Sequence, residues 1–212
     1  MTSRSEPPRF AGPQANPEDP HERAMQVAIA EAERARGSTG DNPWVGSVIA
    51  DENGDIVARG HTQGPGEDHA EIVAMHRARA LGVNLATSTL YSTLEPCSFH
   101  GRTPACSRAI VDAGFKCVVT GIRDPNPRVD GLGVRCLRDA GISVVEGIGA
   151  TAITRQLAEW IFAHHPHEPL RRASALMLAP GGSRAETIRA LCEHYGLPAE
   201  RIEPIVDQLG KR

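Results

Sequence analysis

The stretch Thr89-Leu90-Tyr91-Ser92-Thr93-Leu94-Glu95-Pro96-Cys97 decides the fold. Residues 89–94 include β-branched and aromatic types that favour an extended chain, so they read as a strand with Pro96 and Cys97 just beyond its end. Helical patterns lie on both sides. One covers residues 69–81; the other covers 103–114, where Thr103 can cap the helix and Pro104 can take its first position. Further out come a strand over 116–122, a helix over 133–140 and a last strand over 142–146. Towards the N-terminus, residues 45–50 and 55–60 read as two short strands around the turn Glu52-Asn53-Gly54. Before them Met25, Ala28, Ile29 and Ala32 recur at helical spacing in a segment that begins near Pro20 and ends near Gly37. Strands alternating with helices in this way predict an α/β sheet covered on both faces, without internal repeats.

The flanks differ in kind. Residues 1–19 carry Pro7, Pro8, Pro13 and Pro17 with only Phe10 as a large apolar group, and read as a disordered or loosely docked tail. Residues 20–149 hold the α/β domain, and residues 150–212 a small helical C-terminal extension. In that extension residues 152–164 place Ile153, Leu157, Trp160 and Ile161 on one helical face. A linker over 179–182 precedes two short helices, 185–195 and 198–209, joined at Gly196, with Pro198 in the first turn of the second. Such a hairpin is too small to fold alone and should pack on the main domain or on a neighbouring subunit.

Composition narrows the function. The 212 residues carry 23 Lys and Arg against 26 Asp and Glu, a net charge of −3, which argues against a protein built to grip nucleic acid. Nothing approaches the ~20 apolar residues of a membrane span, and the N-terminus has no apolar signal core. Five cysteines are too few for a disulfide scaffold, so a reducing, cytoplasmic location is expected.

The chemistry concentrates in Asp68-His69-Ala70-Glu71, in Leu94-Glu95-Pro96-Cys97 and in Cys106. One imidazole and two thiolates make a three-ligand zinc set that leaves the fourth tetrahedral position free, as catalytic zinc requires. A glutamate two residues after the histidine can reach that position without ligating the metal, which is how zinc deaminases place their proton shuttle. Cys106 falls in the first turn of its helix, where the dipole favours a thiolate. Plainer readings compete. Asp68 and Glu71 fit a capping-box pattern, and Cys97 alone could be a small apolar residue. Cys117, Cys136 and Cys192 read as core or surface residues, and His164, His165 and His167 as a helix end and linker.

With these residues in view, the chain resembles the pyrimidine deaminase family of riboflavin biosynthesis. The resemblance rests on His69-Ala70-Glu71, on residues 93–106 and on Asp124-Pro125-Asn126-Pro127, with Asn42-Pro43-Trp44-Val45-Gly46 and Gly60-His61 upstream. Its most specific element is the eight-residue spacing between Cys97 and Cys106, where cytidine, tRNA and polynucleotide deaminases typically have two. The resemblance implies a cytidine-deaminase-like αβα three-layer sandwich with a five-stranded mixed sheet. It also implies zinc-dependent hydrolytic deamination of 2,5-diamino-6-ribosylamino-4(3H)-pyrimidinone 5′-phosphate. Carried over, His69, Cys97 and Cys106 bind zinc and Glu71 moves protons. Asn42 and His61 hold the pyrimidine edge, while Arg102 and Thr103 meet the ribose phosphate beside Asp124 and Asn126. The resemblance implies a small-molecule partner rather than nucleic acid or membrane, and a homodimer or homotetramer.

Three departures from the family pattern stand out. Phe99 occupies the place of the family's histidine after Cys-Ser, and Asp41 that of a small residue or proline. Residues 157–169 resemble the linker that in bacterial relatives leads to a reductase, for which this chain leaves no room, so a separate reductase chain is expected in the pathway. Two rivals follow: a deaminase of the same scaffold acting on another amino-heterocycle, and a non-catalytic zinc-stabilised partner subunit. An intact Glu71 speaks against the second, since a structural zinc needs no such carboxylate.

Overall fold

The computed structural model describes residues 18–99, 101 and 104–209. The expected sheet is there: β1 (Gly46–Ala50), β2 (Ile56–His61), β3 (Thr89–Leu94), β4 (Cys117–Ile122) and β5 (Ser143–Glu146), in the order β2-β1-β3-β4-β5. β1 runs antiparallel to both β2 and β3, whereas β3, β4 and β5 run parallel, so the sheet is mixed. Alternation along each strand sends neighbouring residues to opposite faces. Ile49, Leu90 and Val118 pack under α2 (Ala70–Ala80), α3 (Cys106–Ala113) and α4 (Leu132–Asp139). Val48, Tyr91 and Val119 pack under α1 (Pro20–Ala35) and α5 (Ala150–His164). The result is the three-layer αβα arrangement.

Local chemistry fixes the elements. Asp19 caps α1 by accepting from the His21 N–H at 2.8 Å, with Pro20 in the first helical position. Asp51 accepts from the Asn53 and Asp55 N–H groups and so closes the β1–β2 hairpin. Gly60 lets α2 lie directly on β2: a Cβ there would sit 2.4 Å from the Ala70 carbonyl oxygen. That close approach sets the height of the α2 N-terminus, and with it His69 and Glu71.

The C-terminal helices are α5, α6 (His167–Leu178), α7 (Arg184–Tyr195) and α8 (Ala199–Asp207). Ile188, Leu191, Tyr195, Ile202 and Val206 join the same apolar cluster as Ile153, Leu157, Trp160 and Ile161, so the hairpin packs on the main domain through α5. Sequence reading missed α6, whose start falls within the linker-like 157–169 segment. Pro169 sits in its first turn, where a missing N–H costs no helical bond. Two boundaries also shift. Pro198 precedes α8 as its cap rather than entering its first turn. α3 starts at Cys106 with Ala105 as the capping residue, later than a Thr103 cap would place it. Thr103, Arg102, His100 and residues 1–17 and 210–212 lie outside the described residues. No described helix is long and apolar enough to cross a membrane.

Candidate active site

The strand directions gather one edge of the sheet. Gly46 at the start of β1 pairs with His61 at the end of β2, and Leu94 at the end of β3 pairs with Ile122 at the end of β4. The loops leaving these ends meet the N-termini of α2 and α3 there. His69 is the residue that precedes α2, Cys97 follows β3, and Cys106 begins α3.

Their ligand atoms lie within 4.8 Å of one another. His69 Nδ1 is 3.7 Å from Cys97 Sγ and 3.3 Å from Cys106 Sγ. Tetrahedral zinc, with Zn–N near 2.05 Å and Zn–S near 2.3 Å, would set a nitrogen and a sulfur roughly 3.6 Å apart, so the donor set fits by spacing as well as by chemistry. The Cys106 N–H at the head of α3 donates to Cys97 Sγ at 3.2 Å. Hydrogen bonding to the Cys106 thiol, and then to His69, pulls Cys97 down to about 4. The same sharing, with burial, pushes Cys106 up. The bond to Cys97 raises His69 to about 9. These three groups hold protons in common that a divalent cation would displace.

Glu71 is 3 % exposed and lines the cavity beside this cluster. Burial pushes its carboxyl up to about 7. The capping-box alternative does not hold: His69, not Asp68, precedes the helix, no side chain caps it, and Asp68 instead faces His76 at 3.3 Å.

The cavity encloses about 230 Å³. Asn42, Asp124 and Asn126 line it, as the sequence led us to expect. His61 does not: its Nδ1 lies 3.2 Å from Glu31 Oε2 against α1, and Thr62 takes the cavity position instead. A strand residue next to the edge points to one face or the other, and register turned this one away. Phe99, 46 % exposed, lines both this cavity and an adjoining recess of about 250 Å³ near Gly101.

Two groups of residues escaped sequence reading. Glu95, 2 % exposed, accepts from the N–H groups of Gly131, Gly133, Val134 and Asp124 at 2.9, 2.8, 3.1 and 3.3 Å. It thereby caps α4, whose own capping residue is a glycine. Gly133 is required there, since a Cβ would stand 2.0 Å from the Pro96 carbonyl oxygen. The second group is Trp160, His164 and His165 at the end of α5, which form a wall of the cavity. Trp160 does join the core, as its helical face indicates, and the two histidines do end α5. Only tertiary packing shows that all three also line the cavity that Glu71 lines. His167 stands apart, its Nε2 2.9 Å from the Pro125 carbonyl oxygen.

A buried glutamate beside a His-Cys-Cys cluster, at the edge of a mixed sheet in an αβα sandwich, has the fold and the donor set of the zinc-dependent deaminases. Residues 18–122 match the family described as the cytidine and deoxycytidylate deaminase zinc-binding region, and this part of the chain belongs to that family. Within that family the chain is similar to riboflavin biosynthesis protein RibD. It is 39 % identical over 155 residues to that of Aquifex aeolicus (strain VF5), covering 72 % of this chain and 42 % of the relative. Against that of Escherichia coli (strain K12) it is 46 % identical over 124 residues, 58 % of this chain and 33 % of the relative. It superposes with a TM-score of 0.64, at 38 % identity, on the diaminohydroxyphosphoribosylaminopyrimidine deaminase/5-amino-6-(5-phosphoribosylamino)uracil reductase of Thermotoga maritima, covering 70 % of this chain and 42 % of that one. The chain thus spans less than half the length of these relatives. The cytidine-deaminase-like fold expected from the sequence is the one observed.

Proposed function

We propose that this chain catalyses hydrolytic deamination of an aminopyrimidine nucleotide, with 2,5-diamino-6-ribosylamino-4(3H)-pyrimidinone 5′-phosphate as the substrate. The observation that carries this reading is a buried Glu71, its carboxyl raised to about 7, in the wall of a cavity beside His69, Cys97 and Cys106. Zinc held by those three residues would supply the Lewis acidity that makes water nucleophilic near neutral pH. Glu71 takes a proton from the attacking water and delivers it to the ring nitrogen as the hydroxide adds to the amino-bearing carbon; it then carries the proton of the new hydroxyl to the amine, so that the C–N bond breaks, a carbonyl forms and ammonia leaves. A carboxyl poised near the working pH suits both halves of that transfer. Asn42 can offer a donor and an acceptor to the pyrimidine edge, and Asp124 and Asn126, which line the same cavity, are the other candidates to meet it. Arg102, whose guanidinium fork matches phosphate geometry, supplies the anion contact.

A second reading, deamination of a different amino-heterocycle, is favoured by Phe99, which puts an apolar ring at the mouth of the cavity. Ammonia release from the zinc-loaded protein decides between them. The phosphorylated ribosylaminopyrimidine should be turned over, and its dephosphorylated form roughly ten- to a hundredfold less well, the worth of about 1.5–3 kcal/mol for a charge-assisted bond. Release from neither compound refutes the riboflavin substrate.

A further inference from the structure

The wall at the end of α5 lies beyond the 18–122 region that matches the deaminase family, yet it faces the cavity that holds Glu71. Its parts are held firmly. Trp160 Nε1 donates to the Asp41 carbonyl oxygen at 2.9 Å, which ties α5 to the segment carrying Asn42. His164 is engaged as well, with Nδ1 3.1 Å from the Trp160 carbonyl oxygen and Nε2 3.7 Å from Asp41 Oδ1. His165 packs its ring 4.7 Å from that of Trp160, tilted by 59°. Among the described residues neither of its ring nitrogens has a hydrogen-bond partner. Burial, and then the charges of His167 and His164, hold it below the usual imidazole range, so at neutral pH it presents one donor and one acceptor.

Resting on the deaminase reading above, we propose that His165 is a specificity-determining residue that hydrogen-bonds the polar edge of the heterocycle, with Trp160 as its positioning residue. The other titratable groups of this cavity, outside the metal cluster and His164, are the carboxylates of Asp41, Glu71, Glu95 and Asp124. Ionised carboxylates only accept, Glu71 is taken up by proton transfer, and Glu95 has both oxygens engaged by backbone N–H groups. A ring edge that carries carbonyl and amino groups needs a polar partner at each; Asn42 offers one donor and one acceptor, and a fixed neutral imidazole adds one further donor or acceptor, set by its tautomer.

The test compares His165→Phe and His165→Asn in the zinc-loaded protein, using the ribosylaminopyrimidine with and without its 5′-phosphate. His165→Phe keeps a ring against Trp160 but loses both polar atoms. It should raise KM about tenfold for both compounds, the worth of one or two neutral hydrogen bonds, with kcat within about twofold. His165→Asn, which restores a donor and an acceptor, should recover most of that loss. An unchanged KM, a loss confined to the phosphorylated compound, or a His165→Asn variant as impaired as His165→Phe overturns the assignment alone. Wild-type protein that deaminates neither compound refutes the ribosylaminopyrimidine substrate on which this assignment rests, and the assignment with it.

Discussion

Glu95→Gln tests whether the buried carboxylate that joins β3 to α4 holds the site edge together. Each Glu95 oxygen accepts two backbone N–H groups, Oε1 from Gly133 and Val134 and Oε2 from Gly131 and Asp124. An amide can keep one oxygen in place, but its NH2 then faces two N–H donors. Two charge-assisted bonds are lost at about 1.5–3 kcal/mol each, the remaining two weaken, and two buried donors stand unpaired. Relaxation of the Asp124 loop recovers part of this, leaving a destabilisation of about 3–5 kcal/mol. For a chain of this size that corresponds to a fall in Tm of roughly 6–20 °C. Urea unfolding should show a lower midpoint with an unchanged slope. Because Cys97 lies two residues on, the variant should also release metal more readily in a chelator competition. A Glu95→Gln protein within about 1 kcal/mol of wild type would refute the reasoning, since it would mean that the four backbone groups find other partners at little cost.

Three further outcomes follow from the site. Glu71→Gln should leave zinc content and Tm nearly unchanged while turnover falls by ~10²–10⁴-fold or more; near-normal turnover removes the proton-transfer role. Cys97→Ser and Cys106→Ser should each lose zinc by elemental analysis and melt at lower temperature, because binding and folding are coupled, and full zinc occupancy in either variant sinks the ligand assignment. Asp124 supplies a pH test: burial, and then the Glu95 charge, raise its carboxyl to about 6, above the unfolded value of about 4. Its stabilising contribution is therefore complete below about pH 4 and lost as pH rises through about 6. Asp124→Asn keeps the oxygen that accepts from the Asn126 N–H, so it should melt above wild type at pH 7.5 and match it at pH 4; an equal gap at both values contradicts the sign.

Much of this was legible because it is local. The five strands and the α1 and α2 helices follow from periodicity and turn residues within a dozen positions. The zinc set follows from residues at helix starts and strand ends, whose directions are set by the elements themselves. What escaped depends on contacts distant in sequence. His61 was placed against the substrate from its position in a motif, but the strand turns it to Glu31, thirty residues away. α6 was hidden because Pro166 and Pro169 look like a linker until they are seen to fall at a helix start, where prolines cost little. Glu95 gave no signal at all: its four partners come from residues 124–134, and nothing in a strand-end glutamate says that it caps a helix forty positions on.

The same dependence explains why the C-terminal helices matter to the site. Ile153, Leu157 and Ala158 are fully buried in one cluster with Met25 and Val119, so α5 is a layer of the sandwich. That packing carries Trp160 and His165 to the mouth of the sheet edge, where the Trp160–Asp41 bond ties them to Asn42. On the opposite side Glu95 ties the Asp124 loop to the strand that ends at Cys97. Two long-range hydrogen-bonded struts thus flank the His-Cys-Cys cluster, which is itself built from local motifs. On the proposed deaminase reading, the reacting groups sit on the local part and the remaining walls of the cavity on the struts. Substitutions in those walls should then change which ring is accepted while His69, Glu71, Cys97 and Cys106 stay as they are.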